Sequence, residues 1–208
     1  MNWVIYIFLL TAFLSCAPEP VPSGDDTTPI DLLNDPEMEI VENPETLMVR
    51  INDIDFTIKL KALYKVSGIV LSKKRYSDGW QGKMAPYDVA LVWGELLRDS
   101  LYKKIKWWQE ARWYRWRPDN GFPKDNYFIA RYSSNNHVIL ASKNIEVLLG
   151  RIKKNDTIEL SGYLVDINGS KNGNKYWWYS SMSRNDTGAG SCEVIYLTRI
   201  RLSGKVYE

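Results

Sequence analysis

Residues 55 to 71 read DFTIKLKALYKVSGIVL. Phe56, Ile58 and Leu60, then Tyr64 and Val66, are separated by polar or basic residues. A period of two places the apolar set on one face of an extended strand, whereas a helix repeats its faces every 3.6 residues. An alternating run of this length commits its part of the chain to a sheet with one buried face. Gly68, inside the pattern, predicts a bulge or a sharp bend.

Further segments carry the same signature. NYFIARY (126–132), HVIL (137–140), TIELSGYLVDI (157–167), KYWWYSS (175–181) and CEVIYLTRIRL (192–202) read as strands. NGSKNGN (168–174) is a turn, which makes 157–181 a long hairpin. KNIEVLLGRI (143–152) is the best short helix, with Ser142 as its cap and Gly150 near its end; residues 94 to 110 are a second helical candidate. Strands around one small helix predict a mainly β fold, a small closed or partly open barrel of the OB or SH3-like kind with one or two short helices. The phrases YKVSGIVLS and IELSGYLVDI, each with a central Gly, fit strands that bend to close such a barrel.

The N-terminus has a different character. Trp3 to Leu14 is apolar apart from Thr11. The run falls short of the roughly 20 residues of a membrane-spanning helix and suits the core of a signal peptide, about 7–15 residues long. No Lys or Arg precedes it. Phe13-Leu14-Ser15-Cys16 resembles the lipobox of bacterial lipoproteins. That resemblance implies a signal peptide over 1–15, cleavage before Cys16 and lipid on Cys16, hence export and anchoring in the cell envelope; an ordinary N-terminal membrane anchor, or a signal cut elsewhere, is the alternative.

Residues 17 to 46 hold six of the nine prolines and nine acidic residues, without Lys or Arg. Such composition predicts a disordered acidic tether over 16–46 in front of one β-rich domain over 47–208. The domain carries all 27 basic residues against 16 acidic ones and so stands at +11. A basic domain of this kind suits anionic lipid, an acidic envelope polymer or its own acidic tether; the plain alternative is a solvated surface.

YKKIKWWQEARWYRWRP (102–118) interleaves aromatics with Lys and Arg. As a strand it puts Trp113 and Arg115 on one side and Arg112, Tyr114 and Trp116 on the other. Such side chains stack on nucleic-acid bases or sugar rings, settle at membrane interfaces, or fill a core with Arg over the rings. The export signal argues against nucleic acid.

Cys192 and His137 are the chemically distinctive pair, because the chain has a single His and, beyond Cys16, a single Cys. A catalytic thiol needs a nearby base and an oxyanion donor, so an enzymatic reading takes Cys192 as nucleophile, His137 as base and Arg184 as the oxyanion partner. His, Cys and Arg in this order on a β-barrel resemble the sortase transpeptidases. Sortases place Leu-Thr-x-Thr before the Cys, whereas this chain has Gly190-Ser191-Cys192-Glu193, and an adjacent acid opposes the thiolate. ARWYRWRPDNGF, YSSNNHVILAS, NDTIELSGYLVDI and SSMSRNDTGAGSCEVIYL together resemble an uncharacterised bacterial envelope family with Arg-Tyr-x-Trp, Ser-x-Asn-x-His and Ser-x-x-Arg-x-Asp-Thr-Gly-x-Gly-x-Cys-Glu phrases. The resemblance covers residues 66 to 200 and implies a shared fold.

Asn185-Asp186-Thr187-Gly188 is turn chemistry, and Cys192 as a small hydrophobe can begin the last strand. One His and one distant Cys make no zinc site, and no Gly-x-Ser-x-Gly elbow, P-loop or dinucleotide fingerprint is present. Neither metal nor cofactor is expected. Ser133, Ser134 and Ser180 remain as hydroxyls for a Ser–His arrangement. The reading favours binding or scaffolding over catalysis, on a surface joining Asn136, His137, Arg184 and Asp186 with Trp113 and Arg115.

Overall fold

The computed structural model describes residues 18–183 and 191–208. The chain is mainly β. Its first strands are β1 (Gly24–Asp25), β2 (Glu37–Ile40), β3 (Thr46–Ile51), β4 (Ile54–Arg75) and β5 (Tyr87–Val92). They are followed by β6 (Ile105–Glu110), β7 (Trp113–Pro118), β8 (Ser133–Leu140) and β9 (Thr157–Lys171). The last are β10 (Asn174–Tyr179), β11 (Glu193–Leu202) and β12 (Lys205–Tyr207). Among the described residues, three α-helices interrupt them: α1 (Gly79–Met84), α2 (Asn126–Arg131) and α3 (Lys143–Arg151).

Five strands pair in a ring. β4 pairs with β5, β5 with β8, β8 with β11, β11 with β9, and β9 with β4 again. Only β8–β11 is parallel, and α3 fills the connection from β8 to β9. This is the connectivity of an OB-type barrel, here a ring-like sheet that stays partly open. Alternation sends Tyr64, Val66, Leu91, Trp93, Leu160 and Ile195 inward, where α3 adds Ile145, Leu148 and Leu149.

Two glycines close the ring. Gly162 sits between Tyr64 of β4 and Leu197 of β11, and a Cβ there would lie 2.1 Å from the Tyr196 carbonyl oxygen. Gly68 lets the Val92 backbone approach, its Cβ position being 2.9 Å from the Val92 carbonyl oxygen. The expected bulge is not at Gly68, which pairs regularly with Ile158; the register of β4 slips between Leu60 and Ala62 and between Val70 and Ser72.

β4 and β9 run past the ring and, with β3 and β10, form a four-stranded apron in the order β3-β4-β9-β10. Its inner face carries Phe56, Ile58, Ile167 and Trp178 beneath α1, whose Trp80 stacks on Phe56 at 4.9 Å. The turn expected over 168–174 is confined to Asn172 and Gly173, both at positive φ, as a two-residue hairpin turn requires.

The insertion between β5 and β8 corrects two expectations. Residues 94 to 110 do not form one helix: Gly94–Lys104 makes 3₁₀ turns broken at Asp99 and Ser100, and β6 follows. NYFIARY is α2 rather than a strand, because Asp125 caps it, accepting from the Phe128 amide at 2.8 Å. The β6–β7 hairpin lays Trp107, Tyr114 and Trp116 against Leu71, Val92 and Ile129 on the outside of the ring. α3 forms as expected, with Ser142 Oγ accepting from the Ile145 amide at 3.2 Å. The Lys73 ammonium closes its other end on the carbonyls of Leu149, Gly150 and Ile152; burial pushes this amine below the usual lysine range.

The disordered tether is also corrected. Residues 18–46 form a strap against the domain: β1 pairs with β12, β2 pairs with β4, and the Gly94 amide donates to the Leu32 carbonyl at 2.7 Å. Its acids meet bases of the domain, Glu19 with Arg151 at 2.7 Å, Asp25 with Lys205 at 2.6 Å, Asp26 with Arg201 at 3.0 Å, and Glu37 with Lys65 at 2.7 Å. Asp35 pairs with Arg131 and accepts from the Trp93 indole. The segment fully buries none of its apolar side chains and takes its order from edge pairing and opposite charge.

Candidate functional site

On the ladder between β5 and β8, Asp88 lies opposite His137 and Val89 opposite Asn136. Successive side chains of a strand point to opposite faces. Asn136 therefore enters the ring interior, where its Nδ2 donates to the Val89 carbonyl at 3.2 Å and to Ser134 Oγ at 3.0 Å. His137 and Asp88 point outward, under the β6–β7 hairpin.

Asp88 is fully buried and joins two partners at one oxygen: His137 Nδ1 at 2.8 Å and the Arg112 guanidinium at 2.7 Å. With a carboxylate accepting at Nδ1, a neutral imidazole carries its lone pair on Nε2. Its other face is set by Trp178, 4.7 Å away between ring centroids. Arg112 also donates to the Ala85 carbonyl at 2.8 Å and lies 4.0 Å over the Tyr76 ring. Ala111 and Arg112 hold positive φ in the β6–β7 turn, a strained conformation for residues with a Cβ. The Arg112 contacts, with its amide donating to the Tyr76 hydroxyl at 3.1 Å, offset that strain. Burial raises the Tyr76 phenol above its usual range, which keeps it a neutral partner.

This network opens on a cleft of about 480 Å³. The β6–β7 turn supplies Ala111, Arg112 and Trp113; α1 supplies Gln81; β10 supplies Trp177, Trp178 and Tyr179; His137 and Cys192 complete it. Cys192 is half-buried, directly before β11. The cleft thus lies between the connection of the first and second ring strands and that of the fourth and fifth, where OB-type barrels bind ligands.

Of the residues named from sequence, His137, Trp113 and Cys192 come together here. Asn136 does not, because alternation turns it inward. Arg115 does not line the cleft either: it stays on the outer face of the hairpin, 3.6 Å from Glu110. Arg184 and Asp186, and Cys16 with the whole of 1–15, lie outside the described residues. Ser133 Oγ donates to the Ile129 carbonyl at 2.6 Å, and Ser180 Oγ accepts from the Val194 amide at 3.0 Å, both structural contacts. No cluster of three potential metal ligands occurs among the described residues.

Sequence reasoning missed Asp88, Gln81 and the role of Arg112. β5 was not read as a strand either, although YDVALVW between Pro86 and Gly94 is a short apolar run, and one acid inside such a run signals a buried, paired charge. No protein-family model, curated protein or solved structure matches the chain.

Proposed function

We propose that this protein is a lipid-anchored cell-envelope binding protein that takes a neutral, ring-shaped ligand, a sugar chain in chemical class, in the cleft between α1, the β6–β7 turn and β10. One observation carries the reading. Trp113, Trp177, Trp178 and Tyr179 line the cleft, and the only charged side chain lining it among the described residues is Arg112, which Asp88 already holds. Aromatic faces with a few amide and imidazole hydrogen-bonding groups suit sugar rings. A nucleic-acid backbone needs cations free to meet phosphates, and the described lining offers none. Placement in the envelope rests on the lipobox-like Phe13–Cys16.

The test is tryptophan fluorescence of the full chain titrated with N-acetylglucosamine oligomers and, separately, with oligothymidylate. Saturable binding of the sugar that ignores salt and weakens about tenfold, or ~1.4 kcal/mol, in Trp113→Ala and Trp177→Ala is expected. Binding of oligothymidylate alone, falling steeply with salt, favours the nucleic-acid alternative instead.

A second reading has its own observation: the imidazole of His137, held by Asp88, shares the cleft with Cys192. Base, orienting acid and thiol are the parts of a Cys–His hydrolase or transpeptidase, in which Nε2 takes the thiol proton as sulfur attacks an acyl carbon and returns it to the amine that departs when the acyl C–N bond breaks. The two readings part on the reactivity of Cys192.

A further inference from the structure

The first described residues are fastened to α3. Arg151 donates to the Pro18 carbonyl at 3.0 Å and pairs with Glu19, while Asn144 accepts from the Val21 amide at 2.7 Å and donates to the Val21 carbonyl at 2.8 Å. A trans chain advances at most about 3.6 Å per residue, so a group attached at Cys16 stays within about 7 Å of Pro18. A free leash of 30 residues would instead let the domain wander about 30 Å.

The surface beside this fastening has spare positive charge. Glu19 pairs with Arg151, Glu146 with Lys143 and Arg75, and Asp156 accepts from the Lys153 amide, while the acidic Glu208, whose carbonyl oxygen accepts from Asn144 at 2.9 Å, lies at the opposite end of α3 from Lys153 and Lys154. Lys153 and Lys154, directly after α3, are exposed and make no ion pair among the described residues.

We propose that the strap seats the barrel directly on the lipid surface, with the α3 end and Lys153–Lys154 against anionic head groups. This rests on the lipid attachment at Cys16 proposed above. Two independent features point the same way: the short covalent reach from Cys16 and the unpaired lysines at that place. The far end of the molecule supplies a control. The Asn155 amide bonds the Val70 carbonyl, whereas Met48 pairs with Thr57, thirteen residues earlier on β4 and about 40 Å away along a strand.

The experiment uses the full chain, purified from bacterial membranes in a Cys192→Ser background and reconstituted into phosphatidylcholine vesicles with or without phosphatidylglycerol. Lys154→Cys, Lys153→Cys and Met48→Cys, all at exposed positions, carry an environment-sensitive fluorophore, and spin-labelled lipids act as quenchers. Quenching at 153 and 154 about threefold above that at 48, strengthened by phosphatidylglycerol, is expected, since head-group attraction decays within a Debye length of ~8 Å. The mass of the N-terminal peptide is read on the same samples. Lipid on Cys16 with equal quenching at all three positions overturns the seating alone. Absence of lipid on Cys16 overturns the anchor, and the seating with it.

Discussion

Val66, Ile158 and Leu160 in the ring are wholly buried, and their burial follows from an alternating pattern that any reader of the sequence sees. The strap at 18–46 has no such pattern: Val21, Leu33 and Ile40 stay largely exposed, and carboxylates hold it instead. One region is ordered by apolar area, the other by edge pairing and opposite charge. Composition measures the first kind of order well and is blind to the second, because ion-pair partners such as Asp26 and Arg201 lie far apart in the chain.

The sharpest way to break the contrast is to attack ring closure. Gly162→Val forces a side chain into a space where even a Cβ meets the Tyr196 carbonyl oxygen at 2.1 Å. A loss of about 4 kcal/mol, or failure to fold, is expected in urea titration. Next comes a buried ion pair that strap and ring share. Arg201 contacts Glu159 at 3.1 Å, both nearly buried, and also holds Asp26 and the Thr28 carbonyl. Arg201→Ala leaves Glu159 with Arg199 as its remaining partner at 3.5 Å and should lower stability by about 3 kcal/mol. Limited proteolysis should then cut the strap before the ring.

Acid sharpens the comparison further. The side-chain hydrogen bond from Thr28, with the Thr28 amide and the two arginines, holds the Asp26 carboxyl below its usual 3.8. Hydrogen bonds from the Leu33 amide and Asn34 lower Asp31 likewise. A depressed folded-state carboxylate stabilises above its unfolded pKa, and that stabilisation is lost as pH falls through the folded value. The strap should therefore loosen below about pH 3.8 ahead of the ring, which hydrogen exchange of amides 23–35 would register. The smallest effect belongs to exposed pairs. Glu37→Gln, facing Lys65, should change stability by no more than about 0.5 kcal/mol in the same titration.

Four of the five ring strands were legible because alternation, a capped helix and turn residues agreed on them; β5, buried on both faces, was missed. The helix α3 with its Ser142 cap, the hairpin over 157–181 and the central glycines were all visible in this way. Segments where local and tertiary signals compete were not. NYFIARY alternates like a strand, yet the Asp125 cap and a buried Ile129 make it α2. The candidate site was half legible. His137, Trp113 and Cys192 stood out as rare or bulky residues. Asp88 and Arg112 did not, since their meaning comes from a hairpin folded back over β5 and β8. Asn136 was misplaced because adjacency in sequence on a strand means opposite faces in space.

The measurement that bears most directly on the central claim, that the cleft binds rather than reacts, is the alkylation rate of Cys192 against pH, in the full chain and in His137→Ala. The expected result is slow labelling that rises only at alkaline pH and is the same in both proteins. Rapid labelling near neutral pH that collapses in His137→Ala would contradict it and make the Asp88–His137–Cys192 constellation a catalytic one.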